Sequence, residues 1–190
     1  VFPLSFQLQP SSNYALLFYA TMGIVIGLIS VIVTKVVYWI EDVFEKLPIH
    51  WAWWPAIGGI AVGVVGFFSP RTLGVGYSNI TDLLTGTMPM QVVLSLCILK
   101  FVSWAISLGS GTSGGTLAPL LTIGGATGAL IGGIGMFWFP NSGINIPLSV
   151  LVGMSAMFAG ASRAFMTSIV FALETTGQSN ALLPLLATCT

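Results

Sequence analysis

Apolar runs long enough to cross a bilayer alternate with short polar breaks along this chain. Tyr14 to Ile40 is apolar except for Lys35 and a few hydroxyl, glycine and tyrosine positions, and it continues into the amphipathic tail EDVFEKLP. A bilayer needs only about 20 residues, so this run predicts a helix that tilts or projects past the lipid. The next run, HWAWWPAIGGIAVGVVGFFSP, predicts a second span with Pro55 in its first turn and Ser69, Pro70 and Arg71 at its close. Trp51, Trp53 and Trp54 at its start read as an interfacial belt. GVGYSNITDLLTG is too short and too polar at its ends to span alone. It predicts a re-entrant half-helix buried against protein, the place where irregular backbone is tolerated at membrane depth.

Further along, PMQVVLSLCILKFVSWAISL predicts a span with Lys100 at its middle. A charge there is costly in lipid, so Lys100 is expected to face protein or water. LLTIGGATGALIGGIGMFWFP repeats glycine at Gly124, Gly128 and Gly132, the small-xxx-small spacing that lets two helices approach closely. PLSVLVGMSAMFAGAS and RAFMTSIVFALETTG follow as shorter apolar segments divided by Gly160 to Arg163, and Pro184 interrupts the last run. Short interrupted segments of this kind point to broken helices around a transport site. The fold class expected is all-α: a polytopic membrane protein with tilted, broken and re-entrant helices.

Composition agrees with the pattern. Hydrophobic residues make up 55% of the 190 residues and charged ones 5%, against about 25% in soluble domains. Mean hydropathy is +0.98. Five basic and five acidic residues cannot build a basic face, which excludes nucleic-acid binding. Cys97 and Cys189 lie in apolar runs with no second ligand at a metal-binding spacing, so they read as small hydrophobes and neither a metal site nor a disulfide is expected. His50 reads as an interface-facing histidine ahead of a proton relay. Arg163 and Glu174 are eleven residues apart and would share a face on one continuous helix, but both sit where charges reach headgroups cheaply, and neither is assigned to the site. The chain opens on Val1 and stops inside ALLPLLATCT, which predicts an internal piece of a longer protein.

The stretch GSGTSGGTLAP, Gly109 to Pro119, places bare backbone between two apolar runs. Gly109, Gly111 and Gly114 match the dinucleotide fingerprint in spacing, but a membrane-length helix precedes them where a strand is required. No Lys follows them, so a phosphate-cradling loop fails as well. A merely flexible turn is the bland alternative. The sharper reading is that TLAP opens a helix, leaving amides around Gly115, Thr116 and Leu117 unpaired at the positive end of the helix dipole, where anions bind. Partial charges suit passage better than a full charge, which would hold an anion too long. A β-branched residue at Gly115 would crowd those amides and resist any positive φ the turn needs.

At these residues the chain resembles the CLC chloride channels and chloride/proton antiporters. Gly115, Thr116, Leu117, Ala118 and Pro119 occupy the positions of that family's second-half anion motif, Gly-x-Phe-x-Pro. LGVGYSNI (Leu73 to Ile80) upstream and SRAFMTSIVFALETT (Ser162 to Thr176) downstream are similar to family segments in the same order. The resemblance implies an integral membrane protein, a homodimer in which each subunit has its own anion pathway. That pathway is built from two inverted halves whose broken helices point their N-termini at chloride. Residues 1–190 would be a partial transmembrane domain, the second half without its last helix. Its partners would be the remaining half, a second copy, the lipid bilayer and chloride or a similar small anion; no cofactor and no enzymatic chemistry are implied, and a prokaryotic inner (plasma) membrane is the expected location.

The resemblance also implies dimer contacts through Ala164 to Leu173 and Ala181 to Thr190. The family's gating-glutamate motif and its inner-gate tyrosine have no counterpart here; Tyr14, Tyr19, Tyr38 and Tyr77 lie in other segments. Leu117 stands where the family has Phe, and Phe165 where many members have Pro, so the start of that helix is expected to differ. An unrelated carboxylate transporter and a non-conducting membrane scaffold remain as readings from other classes.

Overall fold

The computed structural model describes residues 13–74, 76–139 and 143–189. Val1, Val75 of the LGVGYSNI stretch and Thr190 lie outside the described residues. Eight α-helices follow in order: α1 Asn13–Glu45, α2 Trp54–Phe68, α3 Tyr77–Thr85, α4 Met90–Gly109, α5 Leu117–Trp138, α6 Ile146–Ser162, α7 Phe165–Thr176 and α8 Leu182–Cys189. No strand occurs among the described residues, and the all-α expectation holds. Four of the helical stretches are long and apolar enough to cross a membrane: Tyr14–Glu45, Trp51–Phe68, Met90–Gly109 and Leu117–Trp138.

The amphipathic tail EDVFEKLP does not form a separate element. Helix α1 runs unbroken through Glu45 for 33 residues, roughly 50 Å at 1.5 Å per residue, well beyond a hydrocarbon core of about 30 Å. Helix α3 is the opposite case. Its nine residues rise only about 14 Å, and left-handed glycines close it at both ends, Gly76 (φ 85°) and Gly86 (φ 68°). It is a half-helix, as its polar ends required.

Helices α5 and α6 form the centre of the molecule. Every residue from Leu120 to Ala126 is buried, as is every residue from Leu148 to Met157, the all-round burial of a helix enclosed by others. The glycine spacing explains how closely they cross. A Cβ at Gly124 would stand 2.6 Å from Met157 Cβ, and one at Gly128 would run into the carbonyl oxygen of Ser149. Around this pair lie α1, α4, α7 and α8. Tyr19 of α1, fully buried, accepts a hydrogen bond on its hydroxyl from the Asn145 N–H at 3.1 Å, which ties α1 to the start of α6.

One expectation changes here. Arg163 and Glu174 do not share a continuous helix, because Arg163 itself ends α6 in the left-handed conformation (φ 55°) and α7 begins only at Phe165. Three turns of separation therefore do not place the two charges on one face.

Candidate functional site

The glycine-rich stretch joins the C-terminus of α4 to the N-terminus of α5. At its start Ser110 and Gly111 close α4 by donating their N–H groups to Ile106 O at 2.9 Å and Leu108 O at 3.1 Å. Thr112 folds back on the same helix end. Its hydroxyl reaches the Ser107 carbonyl, the Ser107 hydroxyl at 3.3 Å and the Ser110 hydroxyl at 3.1 Å. The chain is thus tied down just before the segment that carries the candidate residues.

Gly111 is the position in this stretch that needs glycine for its conformation, at φ 78°; Gly115 is not among the positive-φ residues, and a Cβ there would meet no atom within 4 Å. The positive φ expected of the turn at Gly115 is therefore corrected: it lies four residues earlier, at Gly111. Thr116 is the N-cap of α5 and makes no side-chain cap bond. Its carbonyl accepts from Leu120 N–H at 3.2 Å. The N–H groups of Gly115, Thr116, Leu117 and Ala118 have no hydrogen-bond partner among the described residues. Pro119 has no N–H to leave unpaired. All of these residues are exposed or half-buried, so water or an anion can reach them.

A cavity of about 440 Å³ opens at this helix start. The stretch contributes Gly111, Thr112, Ser113 and Thr116 to its wall, and Leu120 continues it along α5. Helix α1 contributes Val33, Thr34, Val37, Tyr38 and Glu41; α4 contributes Trp104 and Leu108; α6 contributes Phe158, Ala161 and Ser162. Of the five residues singled out from the sequence, Thr116 lines this cavity, Pro119 lines a separate smaller one, and Gly115, Leu117 and Ala118 line neither. The wall residues of α1 were not singled out in the sequence. Their signal was present: Thr34, Tyr38 and Glu41 recur at helical spacing on one face of an otherwise apolar run.

Lys100 faces protein, as its position in a span demanded. It is 4% exposed, and its ammonium donates to the carbonyl oxygens of Thr72 at 2.8 Å and Gly74 at 2.9 Å. Nearby, Asn79 donates its amide to Arg71 O at 2.7 Å, so the turn after α2 is held from both α3 and α4.

The arrangement offers unpaired N–H dipoles at the positive end of a 22-residue helix, beside a cavity with hydroxyl and apolar walls. That is chemistry for holding an anion weakly through backbone.

The model of the voltage gated chloride channel family matches residues 2–190. The H(+)/Cl(-) exchange transporter ClcA of Cronobacter sakazakii is 30% identical over 189 residues, covering 96% of this chain and 40% of that protein. The voltage-gated ClC-type chloride channel ClcB of Escherichia coli is 30% identical over 177 residues, covering 93% of this chain and 42% of that protein. Among solved structures, a slow cyanobacterial Cl-/H+ antiporter superposes with a TM-score of 0.89 at 22% identity, covering 100% of this chain and 45% of the other. A CLC-type fluoride/proton antiporter gives 0.78 at 20% identity, covering 99% and 47%. The chain spans less than half the length of these relatives. With the family model matched almost end to end, the chain belongs to the CLC family of voltage gated chloride channels.

Proposed function

We propose that this chain supplies the second half of a membrane domain that moves chloride, or a similar small anion, across the inner membrane of a prokaryote. The first half of the same domain completes the pathway, and two copies of the whole protein form a homodimer. Residues 1–190 would then be a partial transmembrane domain without the last helix of its half.

One observation carries this reading: the unpartnered N–H groups of Gly115 to Ala118 at the start of α5, beside the cavity of about 440 Å³. Backbone dipoles attract an anion without a fixed positive charge to trap it, as conduction needs. The names of the relatives supply the substrate class, since both carry chloride in them. A relative named as an exchange transporter and one named as a channel match at the same 30% identity, so the proposal is anion translocation and assigns no coupling to protons.

The test is halide flux through the full-length protein in liposomes, with a small carboxylate and a no-substrate blank alongside. Chloride flux above both is the expected result. Flux of the carboxylate alone would mean that the pathway takes a different substrate, and flux of neither would mean that the glycines serve packing and not passage.

A further inference from the structure

Lys100 carries a full charge on a membrane-spanning helix, and its two carbonyl partners do not cancel it. Its third N–H has no partner among the described residues. No carboxylate among those residues reaches it either: the ion pair in this region joins Arg71 to Asp82 at 3.6 Å, with both side chains near the surface. A buried charge held only by dipoles is costly, and buried charges are as a rule paired.

Beside the ammonium lies a second cavity, of about 170 Å³, walled in part by Thr72, Lys100, Ser103, Trp104, Ser107 and Pro119. Ser103 is 5% exposed, and its hydroxyl has no partner among the described residues. Other serines of these helices behave differently. Ser149, Ser155 and Ser168 donate to the carbonyl one turn back at 3.0, 3.0 and 2.8 Å. Trp104 lines the same space, while its indole N–H is enclosed by neighbouring atoms and finds no acceptor among the described residues. A cation with an N–H to spare and a hydroxyl without a partner thus line one space in which a small anion fits together with water, each water taking about 30 Å³ in the liquid.

We propose that this cavity is a second anion site, taking a small monovalent anion of the halide class, with the Lys100 ammonium and the Ser103 hydroxyl as its ligands. It differs from the amide site in kind. Thr116 belongs to the larger cavity and Pro119 to this one, while Trp104 lines both. A full charge retains an anion where backbone dipoles release it. The bound anion supplies the counter-charge for Lys100 and steadies the contact between α4 and the turn that leads into α3. The site goes beyond the proposed transport function and does not depend on it.

Crystals of the full-length protein grown or soaked in bromide, read by anomalous scattering, test the proposal together with calorimetric bromide titration. A peak within hydrogen-bond reach of Lys100 Nζ and Ser103 Oγ is expected, weakened in Ser103→Ala and retained in Lys100→Arg, which keeps the charge and so avoids the loss of folding that Lys100→Met risks. The titration of Ser103→Ala should lose one binding event at least tenfold in affinity. Three results overturn the site: an empty cavity, a carboxylate from elsewhere in the protein seated on Lys100, or a peak with no Ser103-dependent heat, which marks an adventitious ion only. Loss of binding at the Thr116 amides with this peak intact would count against the transport proposal and not against this site.

Discussion

Gly111 and Gly115 look interchangeable in the sequence, yet the chain asks different things of them. Gly111 holds φ 78°, and a side chain there pays for a left-handed backbone, about 1–2 kcal/mol. Gly115 has ordinary backbone and open space around its missing Cβ. We expect Gly111→Val to lower the melting temperature of the full-length protein in detergent and Gly115→Ala to leave it unchanged or slightly higher, because alanine restricts the unfolded chain. The reverse order would contradict the assignment of strain. The sequence could say that this stretch needs glycines but not which one bears the positive φ, since that depends on how Thr112 ties back to α4. Lys100 was legible in one respect only. Its position in a span required a partner, but that the partners would be the carbonyls of Thr72 and Gly74, more than twenty residues away, is set by packing.

Helices were the readable layer. Runs of about 20 apolar residues bounded by Gly, Pro or Trp have few alternatives in lipid, where every backbone group must bond within its own segment. The spacing of Gly124, Gly128 and Gly132 went further and anticipated a close crossing, which α6 provides. What the runs could not disclose was direction: which face of α1 turns to the cavity follows from where α4 and α6 sit against it. The break at Arg163 was also ambiguous, since a non-glycine in the left-handed region is uncommon. The crossing itself can be tested. Gly128→Leu drives a side chain into the Ser149 carbonyl and should destabilise the protein by at least the roughly 1–3 kcal/mol of an overpacked core. Gly59→Leu on α2, where no atom lies within 4 Å of the added Cβ, is the control and should be tolerated. Size-exclusion profiles and thermal unfolding of the two variants decide it, and equal tolerance would contradict the close crossing.

At the scale of the molecule, the described helices leave apolar faces uncovered. Met166 and Val170 of α7 and Leu183 of α8 are 58%, 51% and 68% exposed, although both helices pack against α6. These are the segments for which the family resemblance implies dimer contacts. Cysteines at Val170 or Leu183 should therefore cross-link two copies of the full-length protein in membranes, while one at Phe67 on α2 should not. Cross-linking from Phe67 alone would place the interface elsewhere.

In the proposed transport function, backbone N–H groups at the start of α5, and not a side chain, hold the anion. Thr116 separates the two most directly, because its hydroxyl makes no cap bond and its N–H has no partner among the described residues. Thr116→Val keeps the N–H and removes the hydroxyl. Thr116→Pro removes the donor, and a lost hydrogen bond to a charged partner is worth about 1.5–3 kcal/mol, roughly tenfold to a hundredfold in affinity. Calorimetric chloride titration of the full-length protein carrying each change, once each is shown to fold, is the measurement. Near-native affinity for Thr116→Val and a loss of at least tenfold for Thr116→Pro are the expected results; equal damage from both would make the hydroxyl the ligand and contradict backbone binding.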